Sequence, residues 1–334
     1  MSTIKEGYRT LRLPSASPEA HLADGQRLQL MEPELGTRAI RDVVIVKNGR
    51  LVWRWHDRGS DRIAAVYSCT KSIVSALVGI AVDDGLLKLD TPIAQYFEWL
   101  YDDQDERKSA ITVRQLLTMT PGLAWPEFDK PYFRMRRTSD WVGFITKQPI
   151  SHPPGQTFAY NSGCSHLLSA ILTQLYGEPA QLLAERRLFT KLGCRAIRWP
   201  RHGGISEGGA GLQMAAEDLA KFGLLYLQKG QWEGEQLLSR DWIEQSTAVQ
   251  SRGMPQYQPS IYGEYGYHWW VSSASHNGCC DFYFALGYGG QYLFVVPELE
   301  LVAVIRKAVQ GKGKAMLAKE LLLDYIIPAA GHAP

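Results

Sequence analysis

Ser68-Cys-Thr-Lys71-Ser-Ile-Val-Ser-Ala-Leu-Val-Gly-Ile-Ala-Val82 is the stretch on which the reading of this chain turns. It is apolar nearly all round, the mark of a helix buried on every side. Asp83-Asp84-Gly85 stops it. Its first turn is chemically unlike the rest. Ser68 and Lys71 are three residues apart, so Oγ and Nζ share one helix face. A helix N-terminus adds a positive field and unpaired N–H groups beside Ser68. A buried ammonium needs a reason. Either Lys71 snorkels from a core helix to the surface, or it is held beside Ser68 for chemistry; the helix alone favours neither. The chain has 21 serines, and Ser-x-x-Lys occurs a second time at Ser2 to Lys5. Only the copy at Ser68 opens a buried helix. No serine sits in G-x-S-x-G, so the strand-to-helix nucleophile elbow is absent.

On the N-terminal side, residues 42–55 read as a hairpin around Asn48-Gly49, a pair that tolerates the positive φ of a two-residue turn. A short helix over 26–35, interrupted at Pro33, precedes it. On the C-terminal side, Thr112-Val-Arg-Gln115 is a capping box opening a helix that Pro121-Gly122 ends. Further helices are expected over 165–176, 179–193, 215–228 and 239–245. Short strands follow at 265–271, 281–286, 291–296 and 299–305, then a final helix over 315–327. Strands at both ends with helices between them predict an α/β (α+β) fold. The hairpin and the C-terminal strands would form one antiparallel sheet flanked by helices, with a mainly helical lobe beside it. The expected division is a discontinuous α/β domain (1–85 and 255–334) and a mainly helical domain (86–254). A cleft between them is the default ligand site.

Composition narrows the function. Among 334 residues, 36 Lys and Arg face 34 Asp and Glu, a net charge of +2. A nucleic-acid binder would show a basic excess or a basic run. The largely apolar stretch 73–82 is about half of what a bilayer span needs. The N-terminus carries no apolar signal-peptide core, so a cytoplasmic protein is expected. The five cysteines (Cys69, Cys164, Cys194, Cys279, Cys280) form neither a disulfide framework nor a zinc pattern. The eight histidines form no H-E-x-x-H. No metal and no cofactor are expected.

Two more signals follow in order. Tyr160-Asn161-Ser162 comes after Pro153-Pro154-Gly155 and before a helix. Alone it reads first as a packed aromatic beside a helix cap. Gly287-Tyr288-Gly289-Gly290-Gln291 lies where one strand ends and another begins. Alone it reads first as a hairpin turn, though a glycine-rich strand edge also lets a ligand approach the backbone.

Taken together, the three segments resemble the serine β-lactamase and penicillin-binding superfamily, in the branch of class C β-lactamases and family VIII carboxylesterases. The likeness rests on residues 68–72, 85–92, 111–120, 154–155 with 160–163, 208–212 with 218–222, and 287–291, and covers roughly 40–310. It implies a β-lactamase/transpeptidase-like fold. It implies that Ser68 is the acylated nucleophile and that Lys71 and Tyr160 manage its proton. The N–H groups of Ser68 and Gln291 would form the oxyanion hole, and Ser162, Tyr288, Gly289 and Gly290 would contact substrate.

Two departures matter. Ser162 stands where the family's Tyr-x-Asn has asparagine. Tyr288 stands where β-lactamases carry the lysine of Lys-Thr-Gly. Losing that fixed charge points toward a carboxylesterase on small esters. An amidase, peptidase or weak β-lactamase of the same fold, and a penicillin-recognising protein that acylates without turnover, stand as alternatives. Trp125, Tyr132, Phe133, Trp141, Tyr262, Tyr265, Trp269 and Trp270 either line an acyl pocket or pack the core. Cys69 reads as a small buried residue rather than a second nucleophile.

Overall fold

Asn48 and Gly49 both take left-handed backbone, with φ of 52° and 73°, as a two-residue hairpin turn requires. They join β1 (Ile40–Lys47) to β2 (Arg50–His56). The other strands of the same sheet are β3 (Glu264–Tyr265), β4 (Trp270–Ser272), β5 (Phe282–Gly287), β6 (Gln291–Val296) and β7 (Leu301–Lys307). All neighbours pair antiparallel, in the order β2-β1-β7-β6-β5-β4-β3. The N-terminal hairpin thus docks on the last strand of the chain, as the sequence reading expects. This computed structural model describes residues 11–127, 131–310 and 312–331. The Ser2–Lys5 copy of the motif lies outside them.

The strand expected over 265–271 is two strands. The chain reverses between Tyr265 and Trp270, which pair with each other. His268 is left-handed there, at φ 60°. Its ring bonds the Leu117 carbonyl at 3.0 Å and Ser165 Oγ at 2.9 Å. These tertiary contacts override the β preference of the Tyr, His and Trp run.

The main helices are α1 (Gln26–Thr37), α2 (Thr70–Asp83), α3 (Val113–Leu117), α4 (Ser162–Tyr176), α5 (Ala216–Leu227), α6 (Arg240–Thr247) and α7 (Met316–Leu321). Pro33 does not interrupt α1. It is exposed, so the carbonyl it leaves unpaired can turn to water. The last helix continues through a π turn, Leu322–Ile326. Helices cover both faces of the sheet. On one, a Cβ at Gly223 of α5 would lie 2.5 Å from Leu293 Cδ1 and 2.7 Å from Val302 Cγ1. Glycine there lets the helix press onto β6 and β7. On the other face, Lys319 of α7 stands 5.2 Å over the Phe284 ring. α2 is buried from Thr70 to Ala81 and packs against α4 and strand β5. No helix among the described residues is long and apolar enough to cross a membrane.

Candidate active site

Ser68 lies just outside α2. Tyr67–Cys69 form a tight 3-10 turn, and the helix proper begins at Thr70. Tyr67 is left-handed, at φ 47°, a strained state that surrounding contacts must hold. Thr70 does so locally: its Oγ1 donates to the Tyr67 carbonyl at 2.6 Å and accepts from Leu212 N at 3.1 Å.

Lys71 is only 1% exposed, and it does not snorkel. Its Nζ lies 3.0 Å from Ser68 Oγ, 2.9 Å from Ser162 Oγ and 2.6 Å from the Gly209 carbonyl. Burial pushes its pKa down to about 8, against the pull of the Glu127 carboxylate. The lysine is therefore close to releasing its proton at neutral pH. Gly209 has to be glycine for this contact, since a Cβ there would lie 2.9 Å from Ser162 Cβ.

Tyr160 reaches the same spot from the residue pair before α4. Its phenol hydrogen-bonds Ser68, and burial holds its pKa well above the ordinary value despite that bond. Lys71 Nζ stands 4.9 Å from the centre of its ring. Trp270 stacks on Tyr160 at 5.5 Å. Asn161 turns away and caps α4, accepting from Cys164 N at 3.2 Å. Ser162 is consequently the first residue of the helix, with its hydroxyl on Lys71.

Gln291 comes from the other side, at the start of β6. Its carbonyl accepts from Cys69 Sγ at 3.3 Å, which ties the Ser68 turn to the strand. Its side chain is pinned to β7: Nε2 donates to the Lys307 carbonyl at 2.8 Å, and Lys307 N donates to Oε1 at 3.3 Å. Gly289 and Gly290 turn the β5–β6 hairpin at φ 79° and 96°. Tyr288 at its tip is 46% exposed, and its ring meets Tyr67 edge-on at 6.0 Å. The structure thus brings Ser68, Lys71, Tyr160 and Ser162 into one contact set, with Gln291 and Tyr288 bordering it. Cys69 is buried, and burial pushes its thiol pKa far up.

The sequence reading passes over Glu127. Its carboxylate accepts from Ser162 N at 2.8 Å, Ser162 Oγ at 2.5 Å and Trp125 Nε1 at 2.5 Å. It sits 35 residues before Ser162 in a loop without periodicity, so no sequence signal links the two. The aromatics divide. Trp270 and Tyr265 pack around Tyr160, and Trp125 holds Glu127. Trp269 belongs to the core with Phe222, Tyr226 and Tyr283. Trp141 stacks on His202 at 4.4 Å, and Phe133 is 63% exposed. Among the described residues, Asp42, His56 and Asp61 are close enough together to hold a cation. Arg306 already fills that position, 2.7 Å from Asp42 and 3.2 Å from Asp61.

Comparison with known proteins bears on this geometry. A family model described as Beta-lactamase matches residues 29–320. A candidate 6-aminohexanoate-dimer hydrolase from Bacillus anthracis superposes with a TM-score of 0.75 at 19% identity, covering 96% of this chain and 88% of that one. EstCE1, a hydrolase with promiscuous acyltransferase activity, gives 0.72 at 16% identity, covering 91% of this chain and 97% of that one. A penicillin-binding protein homologue from Caulobacter crescentus gives 0.71 at 16% identity, with 91% and 97% covered. A candidate fimbrial assembly protein FimD of serogroup D from Dichelobacter nodosus is 30% identical over 122 residues, which is 35% of this chain and only 30% of that protein's length.

Proposed function

Because this chain belongs to the Beta-lactamase family, we propose that it is a serine hydrolase that forms an acyl-enzyme on Ser68, acting as a carboxylesterase on small neutral esters. The observation that carries the reading is the position of Ser68 Oγ, 3.0 Å from a buried lysine nitrogen and hydrogen-bonded to the Tyr160 phenol.

A serine hydroxyl is a weak nucleophile and needs a base. Neutral Lys71 takes its proton as Oγ attacks the ester carbonyl carbon. The N–H groups of Ser68 and Gln291 would receive the tetrahedral oxyanion, an effect worth roughly 3–4 kcal/mol per donor in a comparable hydrolase. As the C–O bond to the alcohol breaks, the Tyr160 phenol protonates the leaving oxygen, and Lys71 restores the phenol's proton. Water then attacks the acyl-enzyme by the reverse route, releasing the acid and free Ser68.

The preference for neutral esters rests on Tyr288. It places an exposed ring, not an ammonium, beside the Ser68 turn. A substrate carboxylate there would meet no ammonium from residue 288, and a charge drawn from water toward the buried Ser68–Lys71 site without a partner is costly. The five cysteines are free thiols, which suits a reducing compartment such as the cytoplasm. We expect no nucleic-acid or membrane partner.

The test is a panel of p-nitrophenyl esters, nitrocefin and amides, among them the 6-aminohexanoate dimer, with Ser68→Ala as control. Short esters should be hydrolysed fastest, and only by protein with Ser68. Faster turnover of an amide or of nitrocefin would replace the substrate class. Acylation without turnover would make the protein a penicillin-recognising binder.

A further inference from the structure

The substitution of serine for asparagine at position 162 poses a hydrogen-bond problem. An asparagine carbonyl can only accept, whereas a serine hydroxyl can accept or donate. A Ser162 hydroxyl donating to Lys71 would consume the lone pair that the neutral amine needs for Ser68.

The contacts around Ser162 decide its direction. Glu127 Oε1 lies 2.5 Å from Ser162 Oγ, and a carboxylate is an acceptor only. The Ser162 proton therefore points at Glu127. The carboxylate is itself fixed, because Oε2 accepts from Ser162 N at 2.8 Å and Trp125 Nε1 at 2.5 Å. With its proton committed, Ser162 Oγ offers Lys71 only lone pairs, at 2.9 Å. The Gly209 carbonyl, at 2.6 Å, likewise only accepts.

A neutral amine has two N–H bonds and one lone pair. Ser162 and Gly209 take the two N–H bonds. The lone pair is left for the third neighbour, Ser68 Oγ at 3.0 Å. We infer that Glu127 is a positioning residue: by holding Ser162 as an acceptor, it aims the lone pair of neutral Lys71 at Ser68. Glu127 and Ser162 together do what a single asparagine carbonyl would do at that position. The inference rests on the serine-hydrolase reading above.

The rate at which a fluorophosphonate labels Ser68, followed across pH, tests it without a known substrate. Glu127→Gln keeps an oxygen for Ser162 N and Trp125 but turns an NH2 toward Ser162 Oγ, which frees that hydroxyl to donate to Lys71. The plateau labelling rate should fall about 10- to 100-fold, at most the lower end of the roughly 100- to 10,000-fold loss of a whole general base, as suits a residue that orients the base and leaves it in place. The acid limb should move to lower pH, because a carboxylate that favours charged Lys71 is gone. A packing defect alone would not move that limb. Adding Glu127→Gln to Ser162→Ala should slow the plateau no further. Glu127→Asp covers the case in which Glu127→Gln does not fold: the shorter carboxylate should lower the plateau and leave the limb in place. Wild-type plateau rates in either Glu127 variant, or losses that multiply in the double variant, would overturn the inference alone. Absence of label on Ser68 in the wild-type protein would overturn the serine-hydrolase reading and the inference with it.

Discussion

Gly287 lies so close to Val66 that a Cβ on it would stand 2.2 Å from the Val66 carbonyl oxygen. Val66 leads directly into the Tyr67–Cys69 turn, and Gly287 is the last residue of β5. This contact sets the Ser68 turn against the glycine hairpin. Gly287→Ala must push the two apart. We expect kcat/KM for ester hydrolysis to fall at least about tenfold, with a stability loss of about 1–3 kcal/mol. Ester kinetics beside a urea titration check both, and a variant with wild-type kinetics would separate the hairpin from the chemistry.

The pH profile of kcat/KM should rise with pH through about 8, where Lys71 loses its proton. Below that, Lys71 is an ammonium and has no lone pair for Ser68. Tyr160 is held well above its ordinary value, so its phenol stays protonated and should add no descending limb up to about pH 9.5. Stopped assays with a stable ester from about pH 6 to 9.5 measure this. A profile that is flat, or falls with rising pH, would remove Lys71 as the base.

Lys319 is the second buried lysine whose pKa is pushed down to about 8, and burial is the cause. Its Nζ donates to the Ser260 carbonyl at 2.6 Å. Between about 8 and its ordinary value of 10.5, the unfolded chain binds more protons than the folded one at this residue. The Lys319 contribution to unfolding free energy should therefore climb with pH across that window, with the penalty of its buried charge fully present below it. Buried thiols and phenols such as Cys69 and Tyr160, whose pKa is pushed up, act in the opposite sense near its upper end. Lys319→Met should lower the slope of unfolding free energy against pH in that window relative to wild type. Urea titrations at several pH values read the slope, and an unchanged slope would mean that Lys319 titrates as an exposed lysine.

Tyr288→Lys should raise kcat/KM for nitrocefin relative to p-nitrophenyl butyrate. The new ammonium would stand beside Tyr67 and could pair with a substrate carboxylate. The gain should shrink with added salt, since the position is 46% exposed and open to ions. An unchanged ratio would mean that residue 288 does not meet the substrate.

Much of this arrangement was legible because it depends on local rules. Asn48-Gly49 demanded a hairpin, and Thr112 with Gln115 forms a full capping box. Ser68 and Lys71 meet because one helical turn separates them. Other features depend on contacts remote in sequence. His268 splits one expected strand in two, held by Leu117 and Ser165, and nothing in a Tyr-His-Trp run announces a left-handed residue. Pro33 looked like a break because exposure cannot be read from one residue. Glu127 was invisible for the same reason: its meaning lies in Ser162, and only the fold joins them.

Ser68 is the residue on which the proposed acyl-enzyme forms. Mass spectrometry of the protein trapped with a slowly hydrolysed ester, followed by peptide mapping, should find a single acyl group on the peptide that carries Ser68. Ser68→Ala should carry none and should lose ester hydrolysis. An acyl group on another serine, or full activity in Ser68→Ala, would contradict the account at its centre.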